Sequence, residues 1–132
     1  MTHDIDDRVN LFLRSLEAFD FTAARTMCTE AATVRQNDGQ GEQPIEESLE
    51  RLRSFTAGVD SLSYDVIRRF RNPDEVFQQH VLHLTGNDGS RGDVHAAVYF
   101  RFQDGLIDRI EEYVYAEPAL GAVVPEPPRA EA

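Results

Sequence analysis

The stretch Tyr99-Phe-Arg-Phe-Gln-Asp-Gly-Leu-Ile-Asp-Arg-Ile-Glu-Glu-Tyr113 decides the fold of this chain. Apolar and polar residues alternate on both sides of Asp104-Gly105, a pair typical of the tight turn between two antiparallel strands. The segment therefore predicts a hairpin of two strands, 94–102 and 106–115. Alternate side chains of each strand point to opposite faces of the sheet.

Two further apolar runs precede this hairpin, at 62–70 and 76–85. Asn72-Pro-Asp74 separates the two runs, and the Gly-rich segment 86–92 reads as a hairpin loop. Four long strands joined by short loops predict an antiparallel meander. A short additional strand is predicted at 32–37, ended by the turn signal Asp38-Gly39.

The first part of the chain predicts helices. Apolar residues recur every three or four positions between Ile5 and Phe19. A short second helix is expected after Asp20 as its cap, with Cys28 on its apolar side, and a third is expected from Pro44 to about Gly58. The predicted fold class is α+β. Three N-terminal helices pack on a curved, mostly antiparallel sheet, which forms a cone with an internal cavity.

Composition limits what the protein can be. The chain has 132 residues and a formal net charge of −11, so nucleic acid and anionic membranes are not expected partners. Lysine is absent, which excludes Schiff-base and P-loop lysine chemistry, and one cysteine excludes an internal disulfide. We expect one domain at 1–117, a disordered Pro/Ala/Glu-rich tail at 118–132, and a cytoplasmic location. No metal or cofactor is expected.

Several segments together resemble a known family. They are Phe19-Asp-Phe-Thr-Ala-Ala-Arg-Thr-Met27, Ala32-Thr-Val34, Ile45 and the block from Tyr99 to Tyr113. In order and spacing, residues 5–116 resemble the nuclear transport factor two-like superfamily, in its SnoaL-like and ketosteroid isomerase-like branch, which has a cystatin-like cone fold. The resemblance implies a ligand cavity and a dimer formed through the outer face of the sheet.

The family's known catalytic residues are mostly absent. The three catalytic positions of ketosteroid isomerases correspond to Phe12, Gln36 and Val98, so steroid isomerisation by that mechanism is not expected. Limonene-type epoxide hydrolases use an Arg and an Asp two residues apart, plus an acid on the last strand. Arg91 and Asp93 have that spacing but fall in the predicted hairpin loop, whereas Glu112 matches the last-strand acid.

Glu112 is the main candidate catalytic residue. In the family, alternate residues of the last strand face the cavity, so the resemblance implies that Glu112 lies there between Ile110 and Val114. Burial in such a pocket raises the pKa of a carboxyl and suits it to proton transfer. The alternative is a carboxylate that pairs with an arginine or reaches solvent at the cavity mouth. The other residues expected to line the pocket are Phe12, Val34, Gln36, Gln78, Val98 and Phe100.

Two histidines and one aspartate complete the catalytic candidates. His80 and His83 are three residues apart on a strand, so they should face opposite sides of the sheet and are not expected to share a metal ion. One of them faces the cavity, and the sequence leaves open which. Asp38 is either a displaced catalytic base or an ordinary turn residue.

Two functions remain open at this level. One is a cofactor-free enzyme that isomerises, cyclises, dehydrates or hydrolyses the epoxide of a small apolar molecule. The other is a non-catalytic ligand-binding or dimeric interaction domain on the same scaffold. A homodimer is predicted from the tyrosines and arginines on the outer face of the last two strands, with the outward set His95, Ala97, Tyr99, Arg101, Arg109, Glu111, Tyr113 and Tyr115.

Overall fold

The computed structural model describes residues 4–116. The predicted tail at 118–132 lies outside the described residues. The elements, in chain order, are α1 (Ile5–Glu17), α2 (Phe21–Thr26), β1 (Cys28–Gln36), β2 (Glu42–Pro44), α3 (Ile45–Thr56), β3 (Val59–Arg71), β4 (Glu75–Gly86), β5 (Arg91–Gln103) and β6 (Leu106–Ala116).

The predicted α+β class is confirmed. Three helices pack on one curved sheet whose strand order is β2-β1-β6-β5-β4-β3. The last four strands form the predicted antiparallel meander. β1 extends the sheet by pairing in parallel with β6, and β2 pairs antiparallel with β1 at the edge. The tight turn at Asp104-Gly105 has positive φ at both residues, as a two-residue hairpin loop between right-twisted strands requires.

The two N-terminal helices begin at aspartate caps. The Asp4 carboxylate accepts a hydrogen bond from the Asp6 N–H at 3.0 Å, and Asp20 accepts one from the Ala23 N–H at 3.0 Å. Between the helices Phe19 has a φ of 59°, which turns the chain sharply. Of the helices in the described part of the chain, none has the length and apolar composition of a membrane span.

Three local predictions were wrong. Cys28 is not on a helix: α2 ends at Thr26, and the buried cysteine is the first residue of β1, which is longer than predicted. Pro44 is the N-cap residue of α3 and not its first helical residue, which is Ile45. The ladder between β4 and β5 extends to Thr85 and Arg91, so Arg91 and Asp93 lie on a strand and not in the loop.

The core lies between the helices and the inner face of the sheet. The buried stripe of α1 faces the alternate residues of β5, and the Phe12 ring meets the Phe100 ring edge-on with centroids 6.3 Å apart. This packing leaves a cavity between α1, α3 and the sheet.

Candidate functional site

The cavity has a volume of about 530 Å³, which suits a small organic molecule. Its wall is mostly apolar and is built from α1, α3 and the inner face of every long strand. The lining side chains are Phe12, Leu13, Leu16, Val34, Gln36, Ile45, Ser48, Leu49, Arg51, Leu52, Phe55, Tyr64, His80, Leu82, Val94, Val98, Phe100, Ile110, Glu112 and Val114.

Glu112 is the one carboxylic acid among these lining residues. The strand ladders place it opposite Val98 on β5 and opposite Gln36 on β1. The Gln36 amide nitrogen donates a hydrogen bond to Glu112 Oε1 at 3.1 Å. Burial raises the pKa of Glu112, and the hydrogen bond from Gln36 opposes part of that rise. The site therefore favours the neutral acid more than water does.

His80 lies on β4, two strands away from Glu112 in the same sheet. Its ring meets the Tyr64 ring edge-on with centroids 5.0 Å apart, and its Nδ1 lies 2.8 Å from the Gln78 amide nitrogen. Burial, with a contribution from the Arg69 charge, lowers the pKa of His80 to about 4. The imidazole is therefore neutral at neutral pH.

Tyr64 on β3 is a cavity residue that sequence reasoning missed. Its backbone N–H donates to Glu17 Oε2 at 2.8 Å, which ties β3 to the end of α1. Burial raises the pKa of Tyr64, and the negative charges of Glu112 and Glu17 raise it further. The phenol thus keeps its proton and can donate it in a hydrogen bond. Tyr64 faces the cavity because β3 pairs it with Leu82, which also lines the cavity. The sequence of β3 alone does not reveal this pairing.

The structure brings most of the predicted pocket residues together. Phe12, Val34, Gln36, Val98, Phe100, Ile110 and Val114 line the cavity with Glu112 and His80. Gln78 does not line it. Its side chain is 0% exposed and lies behind His80, in contact with Arg69.

His83 and Asp38 do not reach the cavity. His83 faces the outer side of the sheet, where Nδ1 lies 2.7 Å from Asp93 Oδ1. This is the alternation expected for two histidines three residues apart on a strand. Asp38 is exposed in the turn after β1, where its carboxylate accepts from the Gln40 N–H at 2.9 Å and lies 3.7 Å from Arg51. Neither residue is placed to act on a ligand in the cavity.

Helix α3 contributes more of the wall than the sequence indicated. Besides its apolar stripe, it places Ser48 and Arg51 at the cavity. Arg51 is the one cation in the lining formed by residues 4–116, and it also bonds Gln43 and approaches Asp38. The spacing of Leu49, Leu52 and Phe55 was the sequence signal for this role, because an apolar stripe on a helix must pack against an apolar surface or line a cavity.

The polar groups of the cavity define its chemistry. Glu112 can take up or release a proton, while His80 and Tyr64 are neutral at physiological pH. The hydrogen-bond partner of Glu112 is Gln36, which does not titrate. The site thus has a single acid–base group, Glu112, with the neutral polar neighbours Gln36, His80 and Tyr64 and one arginine, Arg51, in an otherwise mostly apolar wall.

Comparison with known proteins gives a consistent result. A profile of the SnoaL-like domain family matches residues 9–110. No curated protein matches the chain. Among solved structures, AclR, a putative hydroxylase from Streptomyces galilaeus, is 14% identical with a TM-score of 0.74, and the match covers 87% of this chain and 83% of that one.

Two other solved structures are similar. A putative SnoaL-like polyketide cyclase from Shewanella denitrificans is 11% identical with a TM-score of 0.72, covering 84% of this chain and 90% of its own. An LEH-like epoxide hydrolase of M. tuberculosis is 18% identical with a TM-score of 0.68, and the match covers 83% of this chain and 80% of that one. At these identities the similarity shows a shared fold.

Proposed function

Because the chain belongs to the SnoaL-like domain family, we propose that its cavity binds a small apolar molecule and that Glu112 exchanges a proton with that ligand. The proposed reaction class is cofactor-free acid–base chemistry: isomerisation, cyclisation, dehydration or epoxide hydrolysis. Proteins of similar fold include a putative SnoaL-like polyketide cyclase and an epoxide hydrolase, which supports this range.

The observation that carries the proposal is the setting of Glu112. Its carboxyl is half-buried among apolar side chains and has one amide donor, so its charged form is less stable than in water. A carboxyl whose pKa is raised is a better proton acceptor when ionised and a better-populated acid near neutral pH. His80 and Tyr64 on the wall are neutral at physiological pH, and the Arg51 guanidinium has no proton acceptor, so these groups do not compete for the proton.

The proposal is tested with a probe reaction that needs only a base. Opening of 5-nitrobenzisoxazole requires removal of one carbon-bound proton; the N–O bond then breaks and releases a coloured nitrile phenolate. We expect turnover in the cavity with the proton passing to Glu112. The Glu112→Gln variant, which keeps the shape, should be slower by about 10²–10⁴-fold.

Glu111→Gln is the matched control. Glu111 is the neighbouring residue on β6, but it faces the outer side of the sheet and bonds Arg109 at 2.6 Å. This variant should retain the rate. Equal rates for the native chain and Glu112→Gln would contradict a base at position 112.

Non-catalytic binding is the second candidate, and one observation favours it. The described hydrogen-bond partner of Glu112 is an amide, so no second titratable group is bonded to the carboxyl. Binding of the neutral fluorescent probe N-phenyl-1-naphthylamine separates the two functions. A pure binder should bind the probe in the native chain and in Glu112→Gln alike, and show no ring-opening activity in either.

A homodimer through the outer sheet face is part of the proposal. Aromatic side chains are exposed there, with Tyr113 at 60% and Phe77 at 44%. Sedimentation velocity at tens of micromolar should show a dimer that Tyr113→Glu converts to a monomer without loss of secondary structure. A native chain that sediments as a monomer would contradict this part.

The location proposed for this domain is the cytoplasm. The free, buried Cys28 is compatible with a reducing compartment, since it needs no partner for stability. Fractionation of the expressing cells tests the location directly, and recovery outside the cytoplasmic fraction would contradict it.

A further inference from the structure

A series of hydrogen-bonded polar side chains, partly buried at Asn10 and Arg69 and fully buried at Gln78, runs from α1 to His80 at the cavity wall. Arg69 on β3 donates from Nη2 to Asn10 Oδ1 at 2.8 Å and from Nε to Gln78 Oε1 at 2.9 Å. The amide nitrogen of Gln78 then lies 2.8 Å from His80 Nδ1. The His80 ring is the last member of this hydrogen-bonded series, and it lines the cavity.

Elementary chemistry determines which atom donates and which accepts in each of these hydrogen bonds. A guanidinium has only donors, so the atom of Gln78 that faces Arg69 must be the amide oxygen. The amide NH₂ of Gln78 therefore faces His80, and it can only donate to Nδ1. An Nδ1 that accepts a hydrogen bond carries no proton, so the proton of the neutral imidazole is on Nε2.

We infer that Arg69 and Gln78 are positioning residues that hold His80 as the neutral Nε2–H tautomer, so that His80 donates a hydrogen bond to an oxygen atom of the cavity's ligand. This inference rests on the proposed function, since it requires a small molecule in the cavity. It adds the substrate class: an apolar skeleton that carries an acceptor oxygen, such as a ketone, ether or epoxide.

The surroundings of the ring agree with a donor role. His80 lines the cavity although the residue is only 4% exposed, and among residues 4–116 its described hydrogen bond is to Gln78. The nearest charged group in the hydrogen-bonded series is Arg69. Its positive charge disfavours a second proton on the His80 ring and, together with burial, lowers the pKa of His80. Neutral imidazole donors polarise carbonyl groups in other enzymes.

An irregularity in β3 places Arg69 at this position. The β3–β4 ladder pairs Val66 with His80 but Arg68 with Gln79, so one extra residue is inserted between them. The inserted residue changes the alternation, and Arg69 instead of Arg68 turns inward opposite Gln78. Arg68 faces outward and bonds Gln79. The bulge therefore determines which of two adjacent arginines controls the histidine.

Glu112 on β6 lines the same cavity, and the two groups have complementary roles. The proton moves to or from Glu112, and any negative charge that develops on the ligand oxygen is stabilised by the His80 Nε2–H. A histidine fixed in this way is not the base of the reaction. This distinguishes it from the general acid–base role that its residue type first indicates.

The tautomer is directly measurable in the native chain. Two-bond ¹H–¹⁵N spectra of the histidine rings distinguish an Nε2–H from an Nδ1–H imidazole and follow its titration. We expect His80 to show the Nε2–H pattern and to remain neutral through physiological pH. An Nδ1–H pattern, or a titration near the ordinary histidine value, would overturn the inference whether or not any variant folds.

Gln78→Glu replaces the amide donor that faces His80 Nδ1 with an acceptor, while the side chain keeps its size and shape. A carboxylate at 78 can only accept, so it requires the proton on Nδ1 and raises the pKa of His80. Gln79→Glu is the matched control. It adds the same charge one residue away, on the outer face beside Arg68, and should leave the tautomer unchanged.

Ligand binding provides the functional readout. 2-Acetylnaphthalene and 2-ethylnaphthalene differ by a carbonyl oxygen that accepts a hydrogen bond. At a pH where the His80 ring is neutral in both proteins by NMR, Gln78→Glu should weaken binding of the ketone by roughly three- to tenfold relative to the hydrocarbon, the value of one neutral hydrogen bond. The pH must lie above the pKa of His80 in the variant, because an imidazolium would keep its Nε2–H. Equal weakening of both would overturn the donor role. Because neither readout requires turnover, failure of Glu112 as a base would leave these results separately interpretable.

Discussion

Gln36 Nε2 donates to Glu112 Oε1 at 3.1 Å across the parallel pair of β1 and β6, which joins the first and last strands of the fold at the cavity wall. The two residues are 76 positions apart in the chain. The bond stabilises the ionised carboxylate, whereas burial stabilises the neutral acid.

Gln36→Leu should therefore raise the pKa of Glu112. The variant removes the amide donor and leaves burial as the main influence on the carboxyl. In ¹³C titration of the glutamate carboxyls, the Glu112 transition should move to higher pH than in the native chain. Gln40→Leu, in the exposed turn after β1, is the control and should not move it. An unchanged or lowered transition in Gln36→Leu would contradict the assignment.

Glu112→Gln should stabilise the fold at neutral and higher pH. The folded-state pKa is raised above the unfolded value, so the folded chain binds the proton more tightly and loses stability as pH rises between the two. Below the unfolded value both states are protonated, and the advantage of the variant should disappear. Urea unfolding of both proteins across this pH range measures the difference. A difference in unfolding free energy that is independent of pH would contradict it.

Asp93→Asn should lower the pKa of His83 towards its ordinary value. On the outer face the His83 ring is bonded to Asp93 at 2.7 Å, and this bond, with a smaller contribution from Asp65, raises the pKa. The stabilisation from the pair is complete below the unfolded pKa and is lost as pH rises through the folded one. NMR titration of the histidine rings in the native chain and in the variant measures the pKa of His83 in each. His80 should not respond, because it lies on the other face of β4.

Ile107→Ala should destabilise the fold by about 2–5 kcal/mol, the usual cost of a large-to-small change in a packed core. Ile107 is 1% exposed, and its N–H donates to the Met27 carbonyl at 2.9 Å, where β6 meets the end of α2. Leu11→Ala is the control, since Leu11 is 51% exposed on α1. It should change the unfolding free energy by about 0.5 kcal/mol or less. Similar losses in the two variants would show that burial at 107 is not the cause.

The fold was predictable because its signals are local. The Asp104-Gly105 turn and the alternation around it determine one hairpin, and the helix caps Asp4 and Asp20 mark where two helices begin. Alternation also indicated which side chains of β6 point inward. The parallel pairing of β1 with β6 has no local signature, although it is what places Gln36 beside Glu112.

The rest of the site depends on contacts between distant strands. Tyr64 reaches the cavity because of the β3–β4 register, and Arg69 turns inward because of one inserted residue in the same strand. Neither feature can be read from the sequence of β3, where Arg68 and Arg69 are chemically identical. The Gln78–His80 contact likewise requires the knowledge that β4 presents both residues to the inner face.

The bulge in β3 also affects how readily the edge of the sheet could pair with another chain. β3 is an edge strand of the sheet, 13 residues long, with outward apolar residues such as Ile67 and Phe70. A regular edge of that length is a template on which another chain can add a strand, and a bulge interrupts it. Deleting Ile67 would restore a regular ladder while leaving Arg69 opposite Gln78. Such a chain would keep its cavity wall and gain an edge prone to aggregation.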